Sequence, residues 1–154
     1  MKKVLILFSL LIGISGCNVV DYLSGIDYER SPVMTHQLVD SEVAVLMVLE
    51  AEMEGIEFSL YNERALPLAY NYQFSLEQFL NQRWYVVPQH PNLTYAPTMM
   101  TLEGFDWYRD RIVLEDFYTE LQPGHYRLVK EIEDDQQQSF YIVAEFDLAA
   151  STEE

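Results

Sequence analysis

The strongest constraint on the fold is the alternation that runs from Phe140 to Leu148. Phe140, Ile142, Ala144, Phe146 and Leu148 fall on one side of an extended chain, and Tyr141, Val143, Glu145 and Asp147 on the other. A side-chain period of two marks a β-strand that gives one face to a core, whereas a helix would scatter those residues around its axis. The same reasoning finds six more strands upstream. Residues 55–60 alternate Ile56, Phe58 and Leu60 against Glu57 and Ser59; residues 70–76 alternate Tyr70, Tyr72, Phe74 and Leu76 against Asn71, Gln73 and Ser75. Residues 42–49 are apolar on both sides, as for a strand covered twice or an edge under a loop. Residues 84–87 follow the polar turn Asn81-Gln82-Arg83 and stop at Pro88; residues 125–132 lead into a polar turn over 133–138. Residues 107–114 alternate least well, and their spacing also admits a helical turn. Pro91 and Pro97 make residues 90–97 a loop. About seven strands, with turns every dozen residues or so, predict an all-β antiparallel sandwich over residues 41–150.

Before the sixth of those strands stands Leu121-Gln122-Pro123-Gly124-His125-Tyr126. A Pro-Gly turn with a tyrosine at the head of the next strand is the form of a tyrosine corner, in which the phenol ties back to a backbone group across a Greek-key connection. The plainer reading is an ordinary buried tyrosine after a turn. Strands on both sides favour the corner, because a buried hydroxyl needs a partner.

The first residues carry a different message. Met1-Lys2-Lys3 is a short basic stretch, residues 4–14 are almost wholly apolar, and Ser15-Gly16 supplies small side chains. The apolar run is short for a spanning helix, which needs roughly 20 residues, and the pattern is that of an export signal. Ile14-Ser15-Gly16-Cys17 resembles the lipobox of bacterial lipoproteins, and Cys17 is the one cysteine in the chain. The resemblance implies cleavage after Gly16, a diacylglycerol on Cys17, and an extracytoplasmic protein held on a cell or outer membrane by acyl chains (palmitate among them). Residues 1–16 are then the signal, 17–40 a lipidated tether and 151–154 an acidic tail. Losing Lys2 and Lys3 and no acid takes the net charge from −16 to −18. Such a surface repels nucleic acid and anionic headgroups. Solubility is the simplest use of the charge.

Several segments together resemble the bacterial Ig-like domains of small secreted and lipid-anchored proteins. They are Tyr70-Asn71-Tyr72-Gln73-Phe74-Ser75-Leu76-Glu77, Arg83-Trp84-Tyr85-Val86-Val87-Pro88, Leu114-Glu115-Asp116-Phe117-Tyr118, the run from Leu121 through Tyr126-Arg127-Leu128-Val129-Lys130-Glu131-Ile132, and Tyr141-Ile142-Val143-Ala144-Glu145-Phe146. The likeness covers about residues 55–148. It departs in 89–111, where similar proteins carry a strand and a second Pro-Gly turn and this chain has a Pro-rich loop and Leu102-Glu103-Gly104. The resemblance implies an Ig-like Greek-key sandwich and an extracytoplasmic setting, with no catalytic residues to carry over.

Nothing in the chain spells out chemistry. His36, His90 and His125 stand apart in sequence, and there is no zinc-binding helix motif, phosphate loop or nucleophile elbow. Glu50, Glu52 and Glu54, and the run Glu131, Glu133, Asp134 and Asp135, lack the loop pattern that cages calcium and read as solvated, aggregation-blocking edges. No metal or cofactor is expected. Trp84 reads as core; Trp107 and Tyr108 are equally core or contacts for a partner, since large aromatics beside loops anchor interfaces. Three functions stay open: a non-enzymatic module binding an envelope protein or glycan, an enzyme whose site the sequence hides, and a passive spacer. The first leads, by analogy with other Ig-like sandwiches.

Overall fold

The computed structural model describes residues 28–34, 37–38 and 42–150. The signal, Cys17, most of the tether and the tail fall outside them. The described chain folds as two antiparallel sheets. One is three-stranded, in the order β2 (Ala44–Glu52), β3 (Gly55–Asn62) and β8 (Trp107–Val113). The other is built around the ten-residue β9 (Gly124–Glu133). Along one side of β9 lies β10 (Ser139–Leu148), and along the other lie β5 (Ser75–Leu80) and β4 (Leu68–Tyr70), end to end. β6 (Arg83–Val86) continues that sheet beyond β5, β7 (Met100–Leu102) beyond β4, and the two-residue β1 (Glu29–Arg30) closes the edge beyond β6. The chain moves from the first sheet to the second after β3, back at β8, and over again at β9. This is an antiparallel β-sandwich, as the period-two pattern implies.

The core comes from the facing sides of both sheets. Ile56, Phe58 and Leu60 on β3 meet Leu76, Tyr126, Leu128 and Ile132 across the sandwich, all at most 2 % exposed. Each such side chain stabilises the fold by roughly 1.5–3 kcal/mol through burial. Asn81 and Gln82 both have positive φ, so β5 turns into β6 through a two-residue hairpin whose twist matches the strands. At the other end Asn62, wholly buried, donates its amide to the carbonyls of Leu66, Leu102 and Glu103. A side chain at Gly104 would lie 2.3 Å from the carbonyl oxygen of Ala65, so only glycine lets these two links pass so closely.

Two expectations need correction. Residues 70–76 are not one strand: Tyr70 ends β4, Ser75 begins β5, and Tyr72 is exposed between them. Residues 90–97 are loop, and in the stretch left open beyond them the short β7 pairs Leu102 with Leu68. Trp84 is not core. It lies on the outer face of the large sheet, half-buried, with the Arg127 guanidinium 4.6 Å above its ring. Beside it Arg127 makes an ion pair with Glu77, with Nη2 and Nε 2.6 and 2.7 Å from Oε2. The Ser31 hydroxyl donates to the other carboxylate oxygen at 2.6 Å. Ser31 belongs to a strap that begins at β1, on the β6 edge, and reaches β10 where Leu38 bridges Tyr141.

Candidate functional site

The break between β4 and β5 creates the most distinctive site. Tyr70 pairs with Ile132 and Ser75 with Val129, so the four residues 71–74 stand opposite only Lys130 and Glu131. The surplus bulges outward. Asn71 is suited to start it, because its side-chain oxygen accepts the Gln73 N–H at 2.9 Å and closes a local turn. The carbonyls of Asn71 and Gln73, released from the ladder, accept from the Lys130 ammonium at 3.0 and 3.1 Å. Lys130 follows Tyr126 and Leu128 on the core-facing side of β9 and is 2 % exposed. Its ammonium lies 5.6 Å from the centre of the Phe58 ring. Among the described residues it has no carboxylate within ion-pairing distance. Burial pushes its pKa down to about 8, partly opposed by the charge of Asp110.

Above Lys130 the sandwich opens sideways into a cleft of about 270 Å³. Phe58 and Phe74 join Lys130 in its lining, Tyr108 and Asp110 enter from β8, Tyr72 from the bulge, and Tyr95 and Phe117 from the far side. The loop that carries Tyr95 has no strand of its own, yet it is pinned. The Gln89 amide donates to the Phe74 carbonyl at 3.0 Å, the Tyr95 hydroxyl at 2.9 Å and the Tyr118 hydroxyl at 3.2 Å. The His90 N–H donates to the Phe117 carbonyl at 2.8 Å. Tyr95 consequently stacks on Phe117, with ring centres 6.1 Å apart and planes 15° off parallel. On the β8 side the Tyr108 hydroxyl donates to Asp110 Oδ2, while Asp110 Oδ1 accepts the Arg111 N–H at 2.8 Å. Burial first, and then Asp110, hold the Tyr108 phenol well above its ordinary pKa. Among the described residues β8 is an edge strand, and side chains blunt it: Asp110 ties up the Arg111 N–H and Asp106 the Trp107 N–H, at 2.8 Å.

A family model for the bacterial Ig-like domain matches residues 44–150. This chain belongs to the bacterial Ig-like domain family. No curated protein matches it. A solved structure with some likeness is the alkylpurine DNA glycosylase AlkC of Pseudomonas fluorescens bound to DNA containing an abasic site analog, at 16 % identity and a TM-score of 0.38. The match covers 70 % of this chain and only 30 % of that one, and at that TM-score it carries no argument.

Within this Ig-like domain the residues singled out from sequence lie apart. Trp107 and Tyr108 point to opposite sides of β8. Trp107 is 57 % exposed on the outer face of the small sheet, with Arg109 5.4 Å above its ring, while Tyr108 turns into the cleft. The Tyr126 hydroxyl donates to the Gln122 carbonyl at 2.5 Å, across the corner that leads into β9. His125, at the head of that strand, sits between Asp147 and Glu145, whose oxygens are 2.8 and 3.1 Å from its two ring nitrogens. Hydrogen bonds to both raise its pKa. Asp134 accepts two N–H groups inside the last hairpin and Asp135 pairs with Arg64 at 2.9 Å, so these acids shape a turn. Among the described residues no three His, Cys, Asp or Glu side chains converge as metal ligands. Sequence reasoning missed Lys130, Tyr72, Tyr95 and Asp110. One signal was available: Lys130 occupies the apolar side of a period-two strand, where a charge needs a reason.

Proposed function

We propose that this chain is an extracytoplasmic, lipid-anchored Ig-like module that holds a partner at the lateral cleft and performs no chemistry on it. The observation that carries the reading is the cleft itself: aromatic walls, a few convergent polar groups, and a pinned loop on one side are the ingredients of a preformed binding site. Its polar groups already serve the fold. The Lys130 ammonium is held by two carbonyls, and the Asp110 carboxylate by Tyr108 and a backbone N–H. These contacts suit fixed recognition better than proton transfer. The anchor is argued from Ile14-Ser15-Gly16-Cys17, and an export signal ending there implies the extracytoplasmic side.

Two experiments test this. A photo-crosslinking residue at Tyr72, on the cleft mouth, should give envelope adducts that the same residue at Glu145, on the outer face of the large sheet, does not. Equal yields from both would remove the cleft from the argument. Cys17→Ala should abolish incorporation of labelled palmitate, and retained labelling would rule out the anchor at that residue.

A further inference from the structure

We infer that the cleft accepts one acidic sugar residue, with its carboxylate on Lys130, its ring against Tyr72 and Tyr95, and a ring hydroxyl on Asp110. The inference rests on the cleft being the binding site and names the class of ligand it takes. Lys130 is the starting point. An ammonium has three N–H groups, and the carbonyls of Asn71 and Gln73 account for two. A buried cation with no carboxylate at ion-pairing distance is costly, and dipoles, the Phe58 ring and the more distant Asp110 charge compensate it only in part. A ligand carboxylate entering the cleft would supply both the missing acceptor and a directly paired charge.

The remaining groups restrict what that carboxylate is attached to. Each Asp110 oxygen accepts one hydrogen bond, and an ionised carboxylate offers about four acceptor sites, so room remains for a donor from the ligand. An aliphatic acid would pair with Lys130 and leave Asp110 unmet, and a neutral sugar would do the reverse. A ring with one carboxylate and several hydroxyls meets both. Tyr72, 48 % exposed, and Tyr95 offer the aromatic faces on which the C–H side of such a ring can rest. A space of about 270 Å³ has room for one sugar ring. Charge points the same way: a chain with a net charge of −16 repels a polyanion, whereas Lys130 offsets a single carboxylate.

The test is calorimetric titration of the full-length protein in detergent with three probes: glucuronate, glucose and N-acetylphenylalanine. Glucuronate should bind roughly tenfold or more tighter than either of the others, the difference expected of one charge-assisted contact. Lys130→Met should erase the preference for glucuronate over glucose. Because that variant also loses the bonds to the bulge, Tyr72→Ala is the companion: it should weaken glucuronate binding and leave the melting temperature unchanged. Equal binding of glucose and glucuronate would overturn the role of Lys130, and equal binding of N-acetylphenylalanine would overturn the sugar in favour of a peptide terminus. If no probe binds, the ligand class is wrong. Adducts specific to Tyr72 would then show that the binding reading survives it, and their absence that both fall together.

Discussion

Replacing Glu77 with leucine removes the charge that faces Arg127 and leaves a side chain of similar reach. The Glu77 and Arg127 side chains are 1 % and 7 % exposed, so the guanidinium that remains is out of water with, among the described residues, Ser31 and the Trp84 ring to compensate it. Breaking a buried pair from one side costs about 3–5 kcal/mol. At about 4 °C of melting temperature per kcal/mol for a domain of this size, the expected fall is roughly 12–20 °C. Arg127→Met should cost a similar amount by stranding the carboxylate. The informative measurement is the double variant, Glu77→Leu with Arg127→Met, which strands neither charge and should be more stable than either single one. Denaturant midpoints for all four proteins, with unchanged slopes, give the coupling directly. Single losses below about 1 kcal/mol would place the pair with exposed ion pairs. A double loss equal to the sum of the singles would refute the claim that the cost lies in the stranded charge.

Three further outcomes follow from the same geometry. Tyr126→Phe leaves the Gln122 carbonyl without its donor and should cost about 1–3 kcal/mol, read as a lower denaturant midpoint; an unchanged midpoint would mean that the corner bond contributes nothing. Lys130 has a folded pKa of about 8 against 10.5 when unfolded, so between those values the unfolded chain binds the extra proton and stability rises with pH. Compared with Lys130→Met, the native protein should therefore gain up to about 1.4 kcal/mol per pH unit from about pH 8 to 10, and parallel profiles would contradict it. His125 has a raised pKa, so its contribution to stability is present below its unfolded value and lost as pH rises through the folded one. An NMR titration should show that pKa dropping in Asp147→Asn, and no drop would remove Asp147 as its main cause.

The sandwich was legible in the sequence because the strands that build its core keep a period of two, broken in 125–132 only by Lys130. Residues 55–60, 125–132 and 140–148 lie within β3, β9 and β10. The site was far less legible, and each failure has a physical reason. Tyr70 to Leu76 alternates well enough to read as one strand, but the local turn at Asn71 and the two carbonyls held by Lys130 break it. Tyr95 lies in a loop with no period, and only the Gln89 and His90 bonds give it a fixed place. Trp84 misled because hydrophobic size suggests core, whereas an aromatic face can equally cover an arginine. Asp110 gave no signal in a strand whose alternation was already poor.

The strap at the N-terminal end of the described chain determines how the molecule yields under mechanical load. Tension arriving from the N-terminal side meets β1 first, and among the described residues β1 is held by two residue pairs, Glu29 with Val86 and Arg30 with Tyr85. Next come the Ser31 N–H on the Trp84 carbonyl, at 3.0 Å, and the Ser31 hydroxyl on Glu77. All of these can peel away one after another while β2 to β10 stay locked by the ladders and the shared core. Losing them would take the Ser31 hydroxyl from the Glu77–Arg127 pair, while Leu38 on Tyr141 would still tie the strap to β10.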